Sequence, residues 1–217
     1  KKIKRSGFFY REEPTRVYHY DNLASHILGY VNNEGQGVMG VSEYFDEELN
    51  GEDGSRLIQK NALGGMVTVE DEYINPAVSG DNFYLTIDKG YQFILEDELK
   101  KGVEEYGAVS GTGIIMNPNT GEVLALANID DFNPNEYWKY NDFQRRNRAL
   151  TDTYEPGSTF KSFTIASLID QKLCSLKEKL FLENGKYKYQ NVNIRDTHPF
   201  NSLNVVEIIE QSSNIGV

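Results

Sequence analysis

The pattern of apolar and polar positions changes near residue 83 and divides the chain into two parts. Before this point, glycines alternate with short apolar runs, which predicts turns, short strands and one short helix around Asp21–Leu28. After it, Phe83–Ile87 is predicted to form a strand and Asp88 to cap the start of an amphipathic helix. The apolar residues of that helix recur at spacings of three and four: Tyr91, Ile94, Leu95, Leu99, Val103 and Tyr106.

A hairpin is predicted after this helix. Two apolar runs, Thr112–Met116 and Glu122–Ala127, flank the turn Asn117–Gly121, which contains Pro, Asn and Gly. Both runs are almost continuously apolar, so we expect both faces of the hairpin to be covered. Residues 128–157 follow neither a helical nor a strand period, and we expect them to be irregular.

Two further helices are predicted in the last third of the chain. The first runs from about Ser158 to Gln171, and its apolar residues lie nearly all round the axis, so we expect it to be buried. Polar Ser158 and Lys161 at its start therefore require an explanation. The second helix runs from about Val205 to Gln211, and Asn204 with Glu207 predicts a capping box at its start.

Composition narrows the possible functions. The formal net charge of -11 repels phosphate backbones, so we expect no nucleic-acid partner. The single cysteine, Cys174, excludes an internal disulfide and a cysteine-based zinc site, and the three histidines form no H-E-x-x-H pattern. We therefore predict neither a metal nor a cofactor. No apolar run reaches the ~18 residues that span a bilayer, and no signal peptide is recognisable.

Ser158 and Lys161 have the spacing of a nucleophile and its base. Residues three apart share a helix face, so a neutral lysine amine could accept the proton of the serine hydroxyl. The positive end of the helix disfavours an ammonium and stabilises an alkoxide. The alternative is a helix-start serine followed by a solvated lysine. A second polar group, Ser212 and Asn214, follows the last helix, where the alternative is a simple helix C-terminal cap.

These two polar groups also match a known motif order. S-x-x-K followed by S-x-N, here S-S-N, is typical of penicillin-binding proteins and class A β-lactamases. The whole segment Asn147–Lys161 resembles the active-site segment of class B penicillin-binding proteins. Gly113–Ala127 is similar to the hairpin that opens their transpeptidase domain, and Leu85–Asp88 resembles the strand leading into it. Upstream, several short segments between Arg16 and Gly54 look like their non-catalytic pedestal.

The sequence departs from the family pattern at three points. His19 stands where the family usually has proline, and Ser42 stands where it usually has glutamate. The third motif, K-T-G, does not occur in this sequence. We therefore expect the natural chain to be longer at both ends, with K-T-G beyond Val217.

The resemblance implies an α+β fold with two domains. Residues 1–82 would form the C-terminal part of a mostly β pedestal, a dimerisation-type domain. Residues 83–217 would form the N-terminal part of a transpeptidase (penicillin-binding) domain, a β-lactamase-like antiparallel sheet flanked by helices and truncated here.

The resemblance also implies a role for each candidate residue. Ser158 would attack a D-Ala-D-Ala stem peptide and form an acyl-enzyme, with Lys161 as the base. Ser212 would relay a proton to the leaving group, and Asn214 would bind the substrate amide. The enzyme would thus be a serine D,D-transpeptidase that cross-links peptidoglycan, and a β-lactam would imitate the donor peptide and acylate Ser158.

The implied partners are peptidoglycan stem peptides, β-lactam antibiotics and membrane-embedded cell-wall synthesis or division proteins. The family works outside the cytoplasm on a single-pass anchor in the cytoplasmic membrane, and the anchor is not in this chain. The short stretch Gly29–Gly37 favours the cell-division type over the elongation type. The alternatives are a serine β-lactamase or D,D-carboxypeptidase, and a β-lactam sensor or inactive scaffold.

Overall fold

The computed structural model describes residues 15–56, 58–60, 62, 66–68 and 74–217. Contacts divide the chain into two compact units, one ending at Asp152 and the other running from Thr153 to Val217. Residues 1–14 of the predicted pedestal lie outside the described residues.

Short elements make up the first part of the first unit. The helices are α1 (Ser25–Leu28), α2 (Gly40–Tyr44) and α3 (Asp46–Asn50). The strands pair antiparallel, β1 (Ser55–Arg56) with β4 (Ile74–Asn75) and β2 (Ile58–Lys60) with β3 (Met66–Thr68). The short helix predicted around Asp21–Leu28 is confirmed by α1. Helices α2 and α3 were not predicted, because a helix of one turn is too short to show a helical period.

The long helix α4 (Lys89–Tyr106) begins where the sequence predicts. The Asp88 carboxylate accepts hydrogen bonds from the backbone N–H groups of Gly90 (2.8 Å) and Tyr91 (3.0 Å), which confirms the N-cap.

The buried side of α4 shares Leu95, Leu99 and Val103 with the predicted apolar face, and these three face β5. Ile94 and Tyr106 are 56% and 82% exposed, whereas Gln92 is fully buried. The Gln92 amide accepts from the Leu126 N–H at 2.9 Å and donates to the Leu126 carbonyl at 2.8 Å. This pairing with a backbone peptide compensates for burying a polar side chain, and it places Gln92 on the same buried side as Leu95 and Leu99.

Helix α4 packs on the predicted hairpin, which is confirmed. Strand β5 (Gly111–Met116) pairs antiparallel with β6 (Val123–Ile129). A Cβ on Gly113 would lie 2.8 Å from the Leu95 Cδ1 of α4, so an alanine there would force the end of the Leu95 side chain to shift.

The expected cover on both faces is confirmed for β6, where residues 125–129 are all buried, but it is wrong for β5, and the expected strand at Phe83–Ile87 is wrong as well. Ile114 and Met116 on β5 are 50% and 54% exposed, because α4 covers only the opposite face of that strand. The segment Phe83–Ile87 is not a strand. The chain contacts β6 there through a side-chain bond from Thr86 Oγ1 to the Val123 carbonyl (2.6 Å) and a backbone bond at Asp88, and these do not form a ladder.

The segment from 128 to 157 is more regular than expected. It contains a 3₁₀ helix at Pro134–Lys139, α5 (Asp142–Arg145) and α6 (Arg148–Thr151). Asn141 and Gln144 form a capping box at the start of α5. Helices as short as α5 and α6 have too few residues to show an apolar period, so the sequence pattern does not predict them.

The second unit contains two helices and two antiparallel strand pairs among its described residues. Its helices are α7 (Phe160–Asp170), which follows a 3₁₀ turn at Gly157–Thr159, and α8 (Val205–Glu210). Strand β7 (Lys179–Phe181) pairs with β10 (Ser202–Asn204), and β8 (Lys186–Tyr189) pairs with β9 (Val192–Arg195). Buried Leu182, Leu203 and Ile208 form its apolar cluster.

The capping box predicted for α8 is confirmed. The Glu207 N–H donates to Asn204 Oδ1 at 2.9 Å, and the Asn204 N–H donates to Glu207 Oε2 at 2.8 Å.

The expected burial of α7 is wrong for this chain. Ile165 is 6% exposed, but Phe160 and Phe163 are 58% and 71% exposed. Within the described residues, only the side of α7 that carries Ile165 is covered. Among the helices of the described ranges, none combines the length and the apolar character that a membrane span requires.

Candidate active site

Ser158 and Lys161 lie at the start of α7, as the sequence predicts. Ser158 is in the 3₁₀ turn Gly157–Thr159 that leads into the helix, directly after Gly157, whose φ is +56°. The first-turn N–H groups of a helix have no acceptor within the helix and form its positive end. Ser158 is exposed to solvent, whereas Lys161, one turn further on, is half-buried.

Ser212 and Asn214 lie in the turn that ends α8. The Ser212 N–H donates to the Ile209 carbonyl (3.1 Å) and the Ser213 N–H to the Ile208 carbonyl (3.0 Å), which is a Schellman motif. Ser212 has a φ of +52°, the left-handed conformation in which glycine is usual. Ser212 therefore does lie in a helix C-terminal cap, as the alternative predicts. A cap alone, however, does not require a serine side chain at this position.

The four predicted residues form one hydrogen-bonded group. Lys161 Nζ donates to Ser212 Oγ at 3.1 Å and to the Ser212 carbonyl at 2.5 Å. It also donates to Asn214 Oδ1 at 2.6 Å. Ser212 Oγ donates to Ser158 Oγ at 3.0 Å. The alternative of a solvated lysine is therefore wrong, because Lys161 has three acceptors within this unit.

Ser212 lies between the predicted nucleophile and the predicted base. Among the described residues there is no direct hydrogen bond from Lys161 Nζ to Ser158 Oγ, and the path between them runs through Ser212 Oγ. Hydroxyl groups both donate and accept, so this path can carry a proton in either direction. The chemical roles of the four residues stay predictions.

Asp196, just after β9, belongs to the same group and was missed by the sequence analysis. Its Oδ1 accepts from the N–H groups of Asn214 (2.5 Å) and Ile215 (3.1 Å), and its Oδ2 accepts from Ser213 Oγ (2.7 Å). The neighbouring Arg195 carbonyl accepts from Asn214 Nδ2 at 2.8 Å. The only sequence signal was an aspartate after a short strand, which is common in turns.

The described residues offer no group of three or more His, Cys, Asp or Glu side chains arranged to hold a metal ion. In the first unit, burial raises the pKa of Glu96, which accepts from the Ala24 N–H, and lowers the pKa of His26, whose Nε2 lies 2.8 Å from the Gln144 carbonyl oxygen. Neither group is among the four predicted site residues.

Two family models match this chain. The model of the penicillin-binding protein transpeptidase domain matches residues 111–217, and that of the penicillin-binding protein dimerisation domain matches residues 1–85. The chain belongs to the penicillin-binding proteins. The predicted α+β fold class, with a pedestal followed by a transpeptidase domain, is thereby confirmed.

Relatives of this penicillin-binding protein carry names that describe cell-wall enzymes. It is 36% identical over 217 residues to the probable peptidoglycan D,D-transpeptidase PenA of Neisseria meningitidis, a match that covers 100% of this chain and 37% of that protein. It is 33% identical over 217 residues to the peptidoglycan D,D-transpeptidase FtsI of Escherichia coli K12, covering 100% of this chain and 36% of that protein. The sequence thus spans about a third of the length of these relatives.

A solved structure supports the same placement. Penicillin-binding protein 3 from Mycobacterium tuberculosis superposes with a TM-score of 0.76 at 27% sequence identity, covering 92% of this chain and 42% of that one. The fold of this penicillin-binding protein and the order of its two domains are therefore those of the family.

Proposed function

We propose that this chain carries the nucleophile, the base and the S-x-N turn of a serine D,D-transpeptidase that cross-links peptidoglycan stem peptides. Family membership and the names of the relatives support the reaction class. The single observation that carries the assignment is the hydrogen-bonded path from Ser158 through Ser212 to Lys161. That path gives a serine hydroxyl a route for its proton without a histidine.

Acylation begins when Ser158 Oγ attacks the carbonyl carbon of the D-Ala-D-Ala peptide bond. A C–O bond forms and the carbonyl electron pair moves onto oxygen. The Oγ proton passes through Ser212 Oγ to Lys161, whose amine must be neutral at this step and accept from Ser212 Oγ instead of donating to it. The backbone N–H of Ser158, in the first turn of the helix, is suited to bind that oxyanion.

Collapse of the tetrahedral intermediate breaks the C–N bond. The proton held by Lys161 returns through Ser212 to the departing nitrogen, so D-Ala leaves as a neutral amine and an ester remains on Ser158. The amine of a second stem peptide then attacks the ester, the C–O bond breaks, and the proton lost by that amine restores the Ser158 hydroxyl. A β-lactam follows the first step, but its leaving amine stays tethered.

Asn214 has two functions in this proposal. Its Oδ1 accepts from Lys161 Nζ and its Nδ2 donates to the Arg195 carbonyl, so both ends of the amide are fixed in one orientation. An Asn amide nitrogen carries two N–H groups, which leaves one to donate to a substrate carbonyl. Asn214 therefore holds the base and binds the substrate amide.

The setting of the enzyme is part of the same proposal. We assign it to the class B, cell-division type, on its similarity to FtsI. It would act outside the cytoplasm from a single-pass membrane anchor, together with membrane-embedded division proteins. We place the domain boundary at 82/83, and the dimerisation-domain match, which ends at residue 85, supports this position.

Intact-mass measurement after incubation with penicillin tests the proposal in the full-length natural protein. We expect a persistent adduct of one penicillin that is absent from the Ser158→Ala variant. Ser162→Ala is the matched control, because Ser162 is an exposed serine on the same helix, and it should keep the adduct. A short-lived adduct with fast penicillin hydrolysis would instead support the β-lactamase alternative. A folded protein without any adduct would contradict the enzyme assignment and favour the scaffold.

A further inference from the structure

One carboxylate holds the turn that carries Ser212 and Asn214. Asp196 accepts hydrogen bonds from three consecutive residues, the hydroxyl of Ser213 and the backbone N–H groups of Asn214 and Ile215. The two carboxylate oxygens have different donors: Oδ1 accepts from both N–H groups and Oδ2 accepts from the hydroxyl. Bonds to a charged acceptor are about twice as strong as bonds between neutral groups.

The turn needs such an anchor because helix α8 has already ended. Ser212 is in the left-handed conformation, which costs a non-glycine residue free energy, and both Ser212 and Asn214 are exposed. Ser213 between them is only 1% exposed. Its Oγ donates to Asp196 Oδ2 and accepts from the Gly216 N–H at 2.9 Å. The buried Ser213 hydroxyl therefore couples the turn to the carboxylate.

Asp196 is itself fixed by the hairpin β8–β9. Its N–H donates to the Gly185 carbonyl at 3.2 Å, and the preceding carbonyl, of Arg195, accepts from the Asn214 side chain. Gly185 is buried, and a Cβ there would lie 3.0 Å from Pro199 Cα, so this part of the loop has little freedom to shift. The hairpin thus sets the position of Asn214 and, through Asn214 Oδ1, that of the Lys161 amine.

We propose that Asp196 is a positioning residue for acylation, an inference that rests on the proposed function. It acts through Ser213, Asn214 and Ile215, which place the Ser212 hydroxyl and the Asn214 amide at the proton path. Transfer along that path depends on its distances of about 3 Å, and a misplacement of about 1 Å can cost about 100-fold in rate.

Two substitutions of Asp196 separate the contribution of its backbone N–H contacts from that of its contact with the Ser213 hydroxyl. Asp196→Ala removes all three acceptor contacts, so we expect the acylation rate constant for a labelled penicillin to fall about 100-fold. Asp196→Asn keeps an Oδ1 acceptor for the two N–H groups and turns an N–H₂ group toward the Ser213 hydroxyl. This variant should therefore acylate faster than the alanine variant, between it and the wild type. Time courses at several penicillin concentrations separate the rate constant from the binding affinity.

Glu207→Ala is the matched control in the full-length natural protein. It removes a carboxylate that caps the opposite end of the same helix α8, so it lowers helix stability without touching the Ser212–Asn214 turn. We expect this variant to acylate at the wild-type rate. Equal slowing by Asp196→Ala and Glu207→Ala would overturn the proposal, because it would show a general structural effect. Wild-type acylation in Asp196→Ala would overturn it as well.

Hydrogen exchange gives a test that does not depend on acylation. Asp196→Ala should accelerate amide exchange in the segment from 212 to 217, whereas Glu207→Ala should accelerate it at the start of α8. If the wild type forms no penicillin adduct, the proposed function fails, and exchange alone then decides the structural claim. If the Asp196→Ala variant exchanges its amides in the segment from 212 to 217 at the wild-type rate, the claim that Asp196 holds the turn is overturned.

Discussion

The backbone and the side chain of Ser212 can be tested separately, because Ser212 has a conformation that glycine adopts more easily. Its φ of +52° lies in the left-handed region, two residues past Glu210, where α8 ends. Replacement by alanine and replacement by glycine both remove the Oγ that contacts Ser158 and Lys161. Only the alanine keeps a Cβ in the unfavourable conformation, so the two variants lose the same hydroxyl contacts and differ only in their backbone energetics.

The expected difference in stability follows from two opposing effects. The left-handed conformation costs an L-residue roughly 1–2 kcal/mol, which glycine avoids. Glycine in turn loses more conformational entropy on folding, by about 0.5–1 kcal/mol. Ser212→Gly should therefore be more stable than Ser212→Ala by roughly 1 kcal/mol. In a domain of about 150–250 residues, that is a difference in Tm of about 2–4 °C.

Thermal unfolding of the two variants tests the left-handed backbone conformation of Ser212. Penicillin acylation, measured on the same samples, tests the role of its hydroxyl in the proton path. We expect the glycine variant to unfold at the higher temperature and both variants to be acylated far more slowly than the wild type. An alanine variant as stable as the glycine variant would refute the left-handed conformation of Ser212. A glycine variant that acylates at the wild-type rate would refute the passage of the proton through Ser212.

Three further predictions concern the first unit. Gly113→Ala places a Cβ against the end of the Leu95 side chain, which must shift, and should destabilise the protein by about 1 kcal/mol in urea unfolding, the lower end of the overpacking range. Gln92→Leu leaves the buried Leu126 peptide without its side-chain partner, and the same assay should show a loss of about 1–3 kcal/mol. Burial lowers the pKa of His26 in the folded state below its ordinary value of 6.5. As the pH decreases below 6.5, the unfolded state therefore binds the proton first, and the free energy of unfolding decreases. His26→Gln should weaken that dependence, and parallel pH curves for variant and wild type would contradict the assignment.

The features predicted correctly from sequence are those decided by residues close together in the chain. The Asp88 cap depends on N–H groups two and three residues away, and the capping box of Asn204 and Glu207 is equally local. The hairpin of β5 and β6 is joined by a short turn with a strong turn sequence. The candidate site was found because S-x-x-K and S-x-N are short motifs in a fixed order.

The sequence by itself determined the helix starts, the hairpin, the family and the four candidate site residues, because each depends on local geometry or on a short motif. The tertiary structure decided that Gln92 joins the buried side of α4, how far α7 is exposed and that Asp196 anchors the Ser212–Asn214 turn. These features depend on contacts between segments distant in the chain. An apolar period shows which side of a helix can be buried, but only the packed neighbours determine how far that side is covered and which polar groups hold the turn in place.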